Sequence, residues 1–315
     1  MGKADNNKVS LSGGAGGSAR FFPGWYRRHR EGVTAWLLLG PILVYFLIFQ
    51  GFPIIFGFLL GFFRWVGVTA APEFCGLANY LTFFTEPMYL LALWRAFYIG
   101  SLVMAVNIGV GFAGAVLLNL PIRGRGVFRT IWYIPVVTST VATSQMFLIF
   151  IDPSVGVANR VLKQLGLTPV VWFYSTFWMV VWIVLYSSWR GIGFTAILWL
   201  AGLQAIDPGL YEAAQIDGAG AWQRFWHITI PGLKTIAIFV LVTGFIGALQ
   251  IFDPVLFISQ GMPWGTTEVI IYRIFRDFYG DFNFGMAGAG SVIVTLIIVA
   301  FTVATFRLLG ERRGL

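Results

Sequence analysis

Apolar residues in this chain are gathered into six long runs, at about 35–63, 91–120, 128–151, 176–203, 235–258 and 285–309, each bounded by charged or turn-forming residues. A bilayer core takes roughly 20 residues of helix to cross, so every run is long enough. The pattern predicts an all-α integral membrane protein of about six transmembrane helices. Pro41 and Pro53 fall inside the first run and predict a bent helix, which packed neighbours can accommodate. Gly109, Gly111 and Gly114 predict a surface on the second helix that another helix approaches closely. Pro135, Thr138, Ser139, Thr140 and Gln145 give the third run a side suited to protein or water. Arg190 sits inside the fourth run, and Gln250 and Asp253 inside the fifth.

The connections are polar and differ in kind. Segments 64–90 and 152–174 read as exterior loops, the first with a short interfacial helix, and 267–281 has the pattern of an amphipathic helix. Segment 204–234 reads as an arm. Asp207 is a helix-capping carboxylate followed by Pro208 in the first helical position, which predicts a helix over 208–216. Gly218 and Gly220 then interrupt it, and 221–229 reads as a second short helix. The organisation is therefore a disordered and basic segment at 1–33, a membrane domain at 34–310 with the arm at 204–234, and a short basic tail at 311–315.

Composition strengthens this picture and narrows the chemistry. With 58% hydrophobic residues, 11% charged and a mean hydropathy of +0.80, the chain holds more apolar surface than a soluble fold of 315 residues buries. Of the 21 Lys and Arg, 14 fall on one set of flanks and 6 on the other, with Arg190 between; the excess marks the cytoplasmic side. Both termini and the arm are then cytoplasmic. The same asymmetry accounts for the net charge of +8 without nucleic acid. Cys75 is the single cysteine, and His29 and His227 are too far apart in sequence to suggest a metal site. No G-x-x-x-x-G-K-[ST] occurs, so nothing here predicts a phosphate-cradling loop or an ATPase of that type.

The arm carries a resemblance. Glu212-Ala213-Ala214, Asp217-Gly218-Ala219, Phe225, Ile228-Thr229 and Pro231 resemble the cytoplasmic EAA loop of inner-membrane permease subunits of binding-protein-dependent ABC importers. Leu200 to Ile206, and Phe252-Asp253 followed by Gly261-Met262-Pro263 and Thr267-Glu268, resemble the carbohydrate, maltose-type branch. The resemblance implies that Glu212, Ala213, Ala214, Asp217, Gly218 and Ala219 contact a separate ATPase, which binds the ATP and Mg while this chain binds no cofactor. Implied partners are a second related permease, a dimer of ATPase subunits, an external solute-binding protein, a saccharide and the lipid bilayer. The location it implies is a bacterial or archaeal cytoplasmic membrane.

Read against that branch, the sugar path runs between the third, fourth and fifth spans. Its walls are Thr140, then Ser187, Trp189, Arg190, Gly191 and Phe194, then Gly247, Ala248, Gln250, Ile251 and Asp253. Trp182, Tyr186, Trp189 and Phe194 are either stacking surfaces for a sugar ring or anchors toward lipid. Two readings stand for Arg190: an ion pair with Asp253 across helices, or a wall of the path that favours an anionic saccharide. A polyol phosphate is an alternative cargo. An ion-coupled transporter or a membrane transferase would leave the arm without a purpose, and the acidic residues are scattered singly rather than clustered as a transferase requires.

Overall fold

The computed structural model describes residues 24–121 and 123–310, and the chain divides into two units, 1–56 and 57–315. The Gly- and Ser-rich tail, Arg20 and the basic carboxyl end lie outside the described residues, as do the side chains of Arg27, Arg28 and Arg30. Helix α1 (Gly24–Phe46) begins well ahead of the apolar run, so residues 24–33, read from sequence as disordered, are helical. A π-helical turn, Leu47–Gly51, leads into α2 (Phe52–Leu60). That wider turn lies directly ahead of Pro53, whose ring would clash with a carbonyl of a regular α-helix and whose missing N–H leaves another unpaired. The predicted bend is therefore resolved by a change of helical pitch.

The second unit opens on a small antiparallel hairpin absent from the sequence reading. Strands β1 (Phe63–Arg64) and β2 (Glu73–Phe74) pair Phe63 with Phe74 and Arg64 with Glu73. Asn79, on α3 (Ala78–Thr85), donates to the Gly61 and Phe63 carbonyls at 3.0 and 2.8 Å and so satisfies the chain end of the hairpin. Helix α4 (Pro87–Asn119) starts on a proline that has no N–H to lose. Helices α5 (Arg125–Val137) and α6 (Thr140–Phe150) follow, bent by 92°. This corrects the reading of the third run as one continuous span. Thr138 and Ser139 take extended backbone angles, and the Thr138 hydroxyl donates to the Pro135 carbonyl at 2.8 Å, occupying a group that a continued helix would use.

Helix α7 (Val157–Gln164) lies in the next loop, and α8 (Thr176–Ala205) is a single 30-residue span. The arm is α9 (Pro208–Ile216) and α10 (Ala221–Arg224), the latter running through a π-helical turn, Phe225–Thr229, into α11 (Ile230–Gly232). A 63° bend then leads into α12 (Lys234–Leu249). The fifth span thus ends nine residues earlier than the hydrophobic pattern predicts, with Gln250 on the turn that follows it and Asp253 at the start of the next helical segment. Beyond a π-helical turn, Val255–Ser259, the amphipathic segment is α13 (Ile270–Phe275) with its extension Arg276–Gly280, and the last span is α14 (Phe284–Leu309). Among the described residues four helices are long and apolar enough to cross a membrane, or six with each bent pair taken as one span.

Small residues set how closely these helices approach. An added Cβ at Gly111 would sit 3.1 Å from Thr195 of α8, and one at Gly114 only 2.3 Å from the Trp132 ring of α5. Gly109 has nothing within 4 Å, so the predicted close face is made by two of the three glycines. Gly193 of α8 meets the Trp132 carbonyl by the same measure, and Gly100 of α4 meets that of Ala248 on α12 at 2.5 Å. Helix α8 thereby packs against α4 and α5, and α12 packs against both α4 and α8, where Gly202 meets Ile236. The main core joins Phe83, Tyr89, Ala92, Ala96 and Ile99 to Ile183, Leu249 and Met286, drawing on spans distant in sequence.

Candidate functional site

The arm is rigid for reasons written into its residues. The Asp207 carboxylate accepts from the Gly209 N–H at 2.9 Å, capping α9. At the other end Ala219 N–H reaches the Ala214 carbonyl at 2.8 Å and Gly218 N–H that of Gln215 at 3.1 Å, the paired bonds of a Schellman ending. That ending requires a left-handed residue, and Gly218 supplies it at φ +79°. Gln223 then accepts from the Gly220 N–H at 2.8 Å, and the Tyr211 hydroxyl bonds that of Thr229 at 2.9 Å, tying the two halves of the arm.

Glu212, Ala213, Asp217 and Gly218 are exposed, Ala214 and Ala219 half-buried, and Ile216 is 87% exposed. Ala214, Asp217, Gly218 and Ala219 share with Gln223, Arg224 and His227 a groove of about 340 Å³. At the base of the arm, Ile206 and Leu233 are buried with Trp199 and Leu200 of α8, Ala115 and Leu118 of α4, and Val240 of α12. The root of the arm is thus packed against three spans at once.

Those three spans also wall the first of two chambers. This one, of about 240 Å³, is lined by Asn107 of α4, Ser187, Gly191 and Phe194 of α8, and Gly247, Ala248 and Ile251 on and after α12. The second, of about 330 Å³, shares Ser187, Gly191, Phe194 and Ile251 and adds Tyr186, Arg190, Gln250 and Asp253. Nine of the eleven residues expected to wall the path are therefore brought together. Thr140 and Trp189 line neither chamber. The Thr140 carbonyl accepts from the Tyr186 hydroxyl at 3.1 Å, and Trp189 packs against Phe147 and Tyr186, ring centroids 5.6 and 6.4 Å apart. Both serve the α6–α8 contact. Arg190 and Asp253 line one chamber without an ion pair, since every ion pair among the described residues involves Arg273 or Arg276; the sequence reading of a bridge between them is corrected.

The sequence reading missed Asn107. Its Oδ1 is buried without a partner among the described residues, as are the Ser187 hydroxyl and Arg190 Nη1, so three unmet polar groups face the same region. A lone asparagine inside an apolar run was the available signal. Also unread was a charged knot outside the spans. Arg273 binds Asp277 and Asp281, approaches Glu268 at 3.6 Å, and lies 5.8 Å over the Tyr89 ring of α4. Burial pushes the Asp277 carboxyl above the usual carboxylate range, although the Arg273 guanidinium pulls the other way.

Long apolar helices, two sharply bent pairs, chambers between the spans and an arm rooted on α4, α8 and α12 define a multi-pass helical membrane protein. Comparison makes the class specific. The model of the family described as binding-protein-dependent transport system inner membrane component matches residues 105–310, and this chain belongs to that family. It is an inner-membrane permease subunit. The trehalose/maltose transport system permease protein MalF of Thermococcus litoralis is 33% identical over 290 residues, 91% of this chain and 97% of the relative. The lactose transport system permease protein LacF of Rhizobium radiobacter is 31% identical over 289 residues, 89% and 95% of the two chains. Among solved structures, a chain of a bacterial alginate ABC transporter in complex with an alginate pentasaccharide-bound periplasmic protein aligns with a TM-score of 0.77 at 26% identity, over 91% and 98% of the two chains.

Proposed function

We propose that this chain forms part of the translocation path for an oligosaccharide delivered by an external binding protein, and that its arm couples the path to a separate ATPase at the cytoplasmic face. The observation that carries this reading is the shared wall: the residues at the root of the arm and those around the smaller chamber belong to α4, α8 and α12, and α8 continues into the wall of the larger one. Glu212, Ala213, Ala214, Asp217, Gly218 and Ala219 form the docking face, where small side chains let a partner come close and a fixed elbow keeps the contact stiff. Ser187, Arg190, Gly191, Phe194, Gly247, Ala248, Gln250, Ile251 and Asp253 wall the path. ATP and Mg belong to the ATPase, and this chain contributes no cofactor site and no hydrolysis of its own. One arm serves one ATPase, so the assembly holds this permease, a second related one, two ATPase subunits and the binding protein.

The test is purification of the chain from its native host in mild detergent, followed by hydrolysis assays with a panel of saccharides. The ATPase and the second permease should co-purify, and a saccharide with its binding protein should raise hydrolysis several-fold. A stable chain with no ATPase attached, supporting uptake without ATP, contradicts the reading. Stimulation by a polyol phosphate and by no saccharide replaces the cargo and keeps the coupling.

A further inference from the structure

The larger chamber holds an arginine that its own fold leaves unanswered. Arg190 is half-buried on α8, and among the described residues no hydrogen bond or ion pair reaches its guanidinium. Nη1 is shut away from solvent, whereas Nε and Nη2 are not, and these two form the edge that grips a carboxylate with parallel bonds. Asp253 lines the same chamber beyond ion-pair distance, so the space between them is open. Asp253 and Gln250 supply acceptors for sugar hydroxyls, and Gln250 a donor as well.

We infer that Arg190 is a specificity-determining residue that reads a carboxylate on the cargo, so that the favoured substrate is an acidic saccharide containing uronate units rather than a neutral one. This rests on the saccharide-permease reading above. Hydroxyls alone satisfy Asp253 and Gln250 but leave the guanidinium edge to a weaker neutral contact. A uronate ring answers all three, because it carries one carboxylate beside free hydroxyls.

The experiment uses the complete complex with its own binding protein in lipid vesicles, measuring ATP hydrolysis against cargo concentration. The probes are trimers of galacturonate, glucuronate and mannuronate, each beside its carboxyl-reduced neutral counterpart. In the wild type at least one uronate trimer should act at a concentration about tenfold below its neutral counterpart, the ratio expected for one charge-assisted contact. Arg190→Gln should bring the two within about twofold while acting mainly on the acidic probe, and Arg190→Lys, which keeps the charge without the fork, should retain an intermediate preference. An equal or neutral-favouring wild-type response overturns this inference and leaves the saccharide reading standing, and so does an acidic preference that survives Arg190→Gln. If Arg190→Gln does not assemble, the Lys variant decides, since a preference undiminished there also overturns it. Silence from all six probes overturns this inference and returns the saccharide reading to the wider panel above.

Discussion

Tyr186 shows how one hydroxyl can hold two elements in an irregular arrangement. Its ring is 1% exposed on α8, and its hydroxyl accepts from Ser144 at 2.9 Å, bonds Thr143 at 3.1 Å and donates to the Thr140 carbonyl. These partners sit on the first turns of α6, just past the break in the third span. Removing the oxygen by Tyr186→Phe leaves the Ser144 hydroxyl, fully buried, without a partner, at a cost of about 1–3 kcal/mol. Thermal unfolding of the detergent-solubilised complex should occur at a lower temperature, and uptake should fall although no chamber charge has changed; an unchanged unfolding temperature contradicts the role. The arm motif was legible at this scale because its meaning is local, from the Asp207 cap to the glycine at 218. Asn107 and Tyr186 were not, because their roles depend on residues 42 or more positions away in sequence.

At the scale of elements, the apolar runs located the spans, and α8 and α14 follow them within a few residues. Hydropathy does not register pitch or direction, so the breaks in the third and fifth spans escaped it. Pro135 and the hydroxyls after it were visible, but whether such a cluster faces water or ends a helix is decided by what packs there. The exterior knot is an element-scale device of the same sort, tying α13 and its extension to the start of α4. Asp277 is 1% exposed, so Arg273→Ala would strand a buried carboxylate and should cost about 3–5 kcal/mol. The sign with pH follows. A carboxyl whose folded-state pKa is raised binds its proton more tightly when folded, so stability falls as pH rises above the usual carboxylate range. The deficit of Arg273→Ala in unfolding temperature should therefore be larger at about pH 7 than at about pH 5, and Asp277→Asn in the same background should remove the difference. A deficit independent of pH contradicts this account of the knot.

For the whole molecule, the central claim is that motion passes between the arm and the chambers through α4, α8 and α12. Gly218 offers the sharpest probe. An added Cβ there meets no atom of the described residues within 4 Å, and aspartate tolerates left-handed backbone better than most residues, so Gly218→Asp costs the isolated permease about 1 kcal/mol of backbone strain and no packing. Beyond that local strain, its effect falls on whatever docks against the elbow, where it adds bulk and a negative charge beside Asp217. The decisive measurement is ATP hydrolysis and saccharide uptake by the reconstituted Gly218→Asp complex, with and without loaded binding protein. The account predicts a normally inserted chain, basal hydrolysis that the loaded binding protein no longer raises, and uptake reduced at least tenfold, equivalent to about 1.4 kcal/mol of lost coupling. Stimulation and uptake at wild-type levels would contradict it.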